Sequence, residues 1–179
     1  MTTFVSLFRS INVGGRTVRM NELKDLYESL GFKDVVTYIQ SGNLICTGDE
    51  ADVAQLSQLI EDGFAQKFGF HARVVARTPS ELQEAIANNP FQNQPTKESN
   101  LVMVLFLATR PENSALQDLQ KAYVGPEEFY LIGQHLYIYY PEGSGRSKLT
   151  LTLIEKKLKT IGTARNWNTV LQLQKLTQR

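Results

Sequence analysis

The sequence holds a single cysteine, Cys46, and only two histidines, His71 and His135, in 179 residues. One thiol excludes an internal disulfide, and two distant histidines without partner cysteines leave no zinc-ligand spacing. No metal and no cofactor is therefore expected, and a reducing, cytoplasmic location fits best. Long apolar runs are missing as well. The N-terminal MTTFVSLFRSINVGG meets Arg9 too early for a signal segment, and no later stretch approaches a membrane span, so a soluble protein without a membrane partner is expected. G-x-G-x-x-G, Walker A and G-x-S-x-G patterns do not occur, which removes the common nucleotide-binding and hydrolase signatures.

What remains has the composition of an ordinary globular chain, with 42% hydrophobic and 21% charged residues. A chain of this length can bury a core without staples. The net charge is only +1, yet residues 146–179 hold eight Lys/Arg against Glu155 alone, giving +7 there and −6 for residues 1–145. This basic segment hints at an anionic partner, although Lys156, Lys157 and Lys159 also suit the solvated face of a helix.

Along the chain one order of elements occurs twice. Phe4 to Phe8 mark a strand at 3–9; Met20, Leu23, Leu26, Tyr27 and Leu30 then recur at helical spacing before Gly31. Val35–Ile39 and Leu44–Thr47 form a hairpin across Gln40 to Asn43. Val53, Leu56, Ile60 and Phe64 stripe a second helix, and His71–Thr78 reads as a strand. Thr78-Pro79-Ser80-Glu81 starts a helix reaching about Asn88, and the Pro-broken polar stretch 89–96 follows. The pattern restarts with a strand at Leu101–Leu107, a helix at Pro111–Tyr123 and a hairpin of Glu128–Ile132 with His135–Tyr140. A helix striped by Leu151, Ile154, Leu158 and Ile161 and closed by Gly162 comes next, then a short strand at Thr163–Arg165. A last helix is capped by Asn166 or Asn168.

Each βαββαβ unit closes most simply into an antiparallel sheet of order β4-β1-β3-β2 with both helices on one face. The expected fold class is α+β: two tandem ferredoxin-like units at 1–78 and 101–179, a linker helix and loop at 79–100, and a C-terminal helix.

That topology gathers polar residues at two places. At one end of the first sheet stand Arg9, Asn12, Gly14, Gly15, Gln40, Ser41, Gly42, Asn43 and His71. A Gly pair between strand and helix lets backbone N–H groups face an anion, with Arg9 adding charge; turn-making and a structural His71 are the competing readings. In the second unit a Gly-rich basic loop delivers Arg146, Ser147 and Lys148 to a helix start, where the last strand also brings Arg165, Asn166 and Asn168. Phosphate, carboxylate or a nucleic-acid backbone would suit that place; alternatively Ser147 caps the helix, Arg165 pairs with Glu142 and Trp167 is core. Tyr137 and Tyr139 share a sheet face that either stacks bases or is covered, the latter being favoured.

The run FRSINVGGRTVRMNELKDLYESLGFKDVVTYIQSGN, the middle Asn89-Pro90-Phe91, and GRSKLTLTLIEKKL followed by TARNWNT resemble the bacterial domain-of-unknown-function 1697 family over essentially the whole chain. Ser10 departs from the glycine common there. The resemblance implies two tandem ferredoxin-like subdomains in a soluble bacterial protein and supplies no activity. Its motif residues here include Thr37, Tyr38 and Trp167 beside the polar residues already gathered. The leading functional expectation is a binding module for an anionic ligand, either nucleic acid or a phosphorylated small molecule. The alternatives are an enzyme acting on a phosphate- or carboxylate-bearing substrate, with Ser41 or Ser147 and a basic residue as catalytic groups, and a structural module docking an acidic protein.

Overall fold

The computed structural model describes residues 1–12, 15–49 and 52–179. Gly14, one of the expected site residues, lies outside the described residues. The elements run β1 (Thr2–Arg9), α1 (Met20–Ser29), β2 (Lys33–Tyr38), β3 (Asn43–Gly48), α2 (Val53–Phe68), β4 (Arg73–Arg77) and α3 (Pro79–Ala87). They continue with β5 (Val102–Leu107), α4 (Ala115–Ala122), β6 (Glu128–Ile132), β7 (His135–Tyr139), α5 (Leu151–Leu158), β8 (Gly162–Asn166) and α6 (Trp167–Leu176). The fold is mixed α and β, with six α-helices among the described residues and two four-stranded antiparallel sheets of order β2-β3-β1-β4 and β6-β7-β5-β8. No helix among the described residues is long and apolar enough to cross a membrane.

The chain divides into two compact units, residues 1–84 with 172–179, and residues 85–171. Both divisions fall inside helices, α3 and α6, so the 79–100 segment is shared between the units.

In the first unit alternate residues of the sheet, Phe4, Phe8, Leu44, Cys46 and Val74, pack with Leu23 and Tyr27 of α1 and Leu56, Ile60 and Phe64 of α2. Ser6 shares that face, and its hydroxyl is bonded to the Tyr27 hydroxyl at 2.6 Å, which satisfies both polar groups inside the core. Asp52 caps α2 by accepting from the Ala54 N–H (2.8 Å), and Gly69 closes it at φ 75°. In the second unit Leu105, Leu107, Leu136 and Ile138 pack with Leu119 of α4 and Ile154 and Leu158 of α5.

Three helix ends differ from expectation: α4 begins at Ala115 rather than Pro111, and both ends of α5 change. Thr150, not Ser147, caps α5, accepting from the Leu153 N–H at 3.2 Å. Lys159, not Gly162, takes the left-handed position after α5, at φ 55°. Gly162 instead opens β8, where a Cβ would lie 2.9 Å from Leu105 Cδ1; glycine is needed there for close packing of strand on side chain.

The cores carry an alkaline sensitivity. Burial pushes the fully enclosed Cys46 thiol from 9.0 up to about 12, the Tyr140 phenol from 10.0 up to about 12, and the Tyr27 phenol well above its ordinary value. Above pH 9 the unfolded chain therefore releases protons that the folded chain keeps, and stability falls as pH rises. Each such group contributes a slope of up to about 1.4 kcal/mol per pH unit. Burial brings the Arg77 and Arg165 guanidinium groups from 12.5 down to about 10, an opposite trend that begins only near pH 10. Urea midpoints should thus drop between pH 8 and 10, and the drop should shrink in Cys46→Ala. An identical pH slope in that variant would exclude the thiol as its source.

Candidate functional site

The first unit's site is built where β1 ends and β4 begins. Beyond Arg9 the chain turns sharply: Ser10 has φ 56° and Asn12 φ 59°, left-handed conformations that a side chain occupies at a penalty of roughly 1–2 kcal/mol. This is the physical reason why glycine suits position 10. Asn12 fastens the turn twice, accepting from the Val18 N–H at 2.6 Å and donating from Nδ2 to the Gln40 carbonyl at 2.7 Å. The second bond ties the β1–α1 loop to the β2–β3 turn, so Asn12 does more than pair its own loop. Asn43 is fully buried and donates to the Tyr38 carbonyl (3.0 Å) and Ser41 Oγ (2.9 Å), bonds that shape its own hairpin. Gln40 and Ser41 are exposed at the hairpin tip.

Beside this turn lies a cavity of about 200 Å³ lined by Arg9, Ser10, Ile11, Arg16, Phe70, His71, Ala72 and Arg73. Arg9 and Arg73 stand directly opposite each other in the β1–β4 ladder. Arg73 Nε is 3.2 Å from Glu61 Oε1, which also accepts from the Val74 N–H at 2.8 Å. The Arg16 guanidinium rests over the Phe70 ring at 4.8 Å. Among the described residues no carboxylate lines the cavity. Arg9 and His71 were candidates from topology; Arg16 and Arg73 were not, because an arginine in a loop and one at a strand start carry no local pattern. Gly15, at φ 95°, lies in the same loop but does not line the cavity.

The residues expected together in the second unit are separated. Arg146 and Lys148 are exposed, whereas Arg165 is 7% exposed. It stands opposite Val104, and its Nη1 donates to Thr163 Oγ1 (2.7 Å) and the Ala164 carbonyl (2.9 Å). It therefore does not join Arg146 and Lys148 in an exposed patch. Asn166 caps α6, accepting from the Asn168 N–H at 3.0 Å, and donates to the Asn100 carbonyl at 2.8 Å. Asn168 is exposed and Trp167 buried.

Ser147 Oγ donates to Glu127 Oε1 at 2.6 Å and accepts from the Leu149 N–H at 3.0 Å, while the Tyr123 hydroxyl donates to the other Glu127 oxygen. Burial raises the Glu127 carboxyl, but these two hydroxyls, together with the Glu127 backbone N–H, more than offset it and hold the group below its ordinary range. Such a carboxylate is a weak base, so the arrangement positions Ser147 without activating it. Tyr137 is buried and donates to the Ala85 carbonyl at 2.6 Å; Phe91 lies 6.0 Å from Tyr139 and 5.6 Å from Tyr130, with Lys97 over the Tyr139 ring at 4.6 Å. Tyr137 and Tyr139 are packed against by the 85–97 segment rather than presented for base stacking, whereas Tyr130 on the edge strand is 44% exposed.

No curated protein matches the chain. Among solved structures, conserved bacterial protein SP0830 from Streptococcus pneumoniae is similar in fold, with a TM-score of 0.75 at 22% identity over 100% of this chain and 99% of that one. A family model described as "Protein of unknown function (DUF1697)" matches residues 1–137, a span that includes the whole arginine-lined cavity, and the chain belongs to that family.

Proposed function

We propose that this protein is a bacterial cytoplasmic binding module, built from two ferredoxin-like units, whose first unit holds a small phosphate- or carboxylate-bearing molecule between Arg9, Arg16 and Arg73. The observation that carries this reading is a cavity of about 200 Å³ with three arginines and His71 on its walls and no carboxylate among its described lining residues. Like charges directly opposite in a ladder destabilise a sheet. Glu61 already pairs with Arg73, and a bound anion would add an attraction to both guanidinium groups facing each other in the ladder. Guanidinium groups suit phosphate and carboxylate because their planar fork donates two parallel hydrogen bonds. The cavity is smaller than the roughly 300–1,000 Å³ of sites for drug-sized ligands, which favours a phosphate with a few attached atoms over a polynucleotide.

The tandem ferredoxin-like reading is supported by the repeated order of elements and by a shared detail. Both β4 and β8 carry an Ala-Arg pair at or next to their C-terminal residue, with the arginine buried and its Nη1 donating to the preceding alanine carbonyl, and a capped helix follows each.

Calorimetric titration with inorganic phosphate, glycerol phosphate and a short single-stranded oligonucleotide at low salt tests the site. Glycerol phosphate should bind, and Arg9→Gln or Arg16→Gln should weaken it about ten-fold or more, since a hydrogen bond to a charged group contributes roughly 1.5–3 kcal/mol. Absence of binding at about 10 mM ligand, or equal affinity in both variants, would overturn the assignment. Oligonucleotide binding that rises with length would favour nucleic acid instead.

A further inference from the structure

The second unit contains a larger cavity of different character, about 300 Å³, between the sheet and the start of α5. Its walls are apolar: Met103, Leu105, Ile138 and Ala164 from the strands face Leu151 and Ile154 of α5. Its hydroxyl-bearing loop residues, Ser144, Ser147 and Thr150, are confined to the 141–150 loop on one side. That rim is held by the protein itself. Ser147 is fixed by Glu127 and the Leu149 N–H, Thr150 is fixed by capping α5, and the Tyr140 hydroxyl donates to the Leu149 carbonyl at 3.0 Å. A cavity with a dry wall and one ordered polar edge is the shape of a site for an amphiphile.

Charge decides the head group. The exposed Arg146 and Lys148 of this loop are equalled in number by Glu142 in the same loop and Glu127 at Ser147, so the formal charge around the rim sums to zero. Size decides the body. An engineered apolar cavity of about 150 Å³ holds benzene, so a cavity twice that volume takes a two-ring aromatic or a chain of comparable bulk at similar filling. We infer that this cavity binds a neutral amphiphile, an aromatic or aliphatic body bearing one hydroxyl or amide that meets Ser144 and Thr150. The site lies in the other unit from the arginine cavity and takes an uncharged ligand, so the two assignments stand or fall separately.

The probes are 2-naphthol, 1-octanol and octanoate, titrated into the whole protein and followed by calorimetry and by the methyl resonances of its isoleucines. Both alcohols should bind saturably, shifting Ile138 and Ile154 while leaving Ile60 of the first unit's core in place. Octanoate should act at least ten-fold more weakly on the same two methyl groups. Ala164→Leu, which fills the cavity, should abolish the shifts while far-UV circular dichroism keeps its wild-type form. The wild-type methyl readout does not depend on that variant folding. No saturable binding at about 1 mM, binding that leaves Ile138 and Ile154 unmoved, or octanoate matching octanol at these methyl groups would each overturn the inference.

Discussion

Phe64→Ala should lower the stability of the first unit by about 3–5 kcal/mol, a large share of the roughly 5–15 kcal/mol that holds a domain folded. Phe64 is fully buried in α2, with its ring 5.3 Å from Phe8, 4.6 Å from Phe68 and 5.1 Å from Phe70. Alanine keeps the helix and removes the ring, so the loss is that of apolar contact plus the space left behind. The effect should also reach the candidate site. Phe70 meets Phe64 edge-on at 89° and carries the Arg16 guanidinium over its ring. Losing its support should weaken glycerol phosphate binding although residue 64 does not line the cavity. Urea unfolding compared with Leu59→Ala, a truncation of a partly exposed residue on the same helix, measures the stability part. A loss below about 1 kcal/mol would mean that the neighbouring rings close the space.

How far the sequence reveals this structure depends on how local the cause is. Both hairpins were legible because turn chemistry and strand alternation act over a few residues; Gly133 at φ 60° between β6 and β7 is such a case. The helices are legible from their apolar stripes, and the strand order from the right-handed βαβ crossovers that close such a unit. The cavity was only half legible. Arg9 and His71 could be placed by topology, but Arg73 reaches Arg9 only through the β1–β4 pairing, and the register of a non-consecutive pair leaves no mark on either segment. Arg165 shows another limit. Alternation in β8 puts it on the face opposite Ala164, which packs against the second core, and an arginine in that place reads as a surface residue although it is buried. Periodicity tells which residues share a face of a sheet; it does not tell whether that face meets solvent.

The division of the chain shows the same limit at larger scale. Proline and polar residues at 89–96 have the composition of a linker, yet Phe91 is 3% exposed and Asn89 accepts from its N–H at 3.0 Å. A segment's polarity reports its average surroundings, and one well-placed aromatic suffices to bind it to its own unit.

Gly42→Ala should be the most damaging small substitution at the candidate site, at about 2–5 kcal/mol. Two independent effects add there. Gly42 has φ 78°, where any side chain is penalised by roughly 1–2 kcal/mol. A Cβ would also lie 2.6 Å from Ile11 Cδ1 and 2.7 Å from Phe8 Cβ, both buried, so the overlap must be relieved by moving β1 or the hairpin, at roughly 1–3 kcal/mol. The Gly42 carbonyl accepts from the Phe8 N–H at 2.9 Å, and the neighbouring Gln40 carbonyl accepts from Asn12. Displacing the hairpin therefore strains the bond that holds the β1–α1 loop, and with it the position of Arg9 and Arg16. Gly69→Ala serves as the control, because its φ of 75° carries the same backbone penalty while a Cβ there meets nothing within 4 Å. If the steric argument holds, Gly42→Ala loses clearly more stability than Gly69→Ala in urea unfolding and also binds glycerol phosphate more weakly. Equal losses in the two variants would leave only the backbone penalty and show that Ile11 yields without cost to the site.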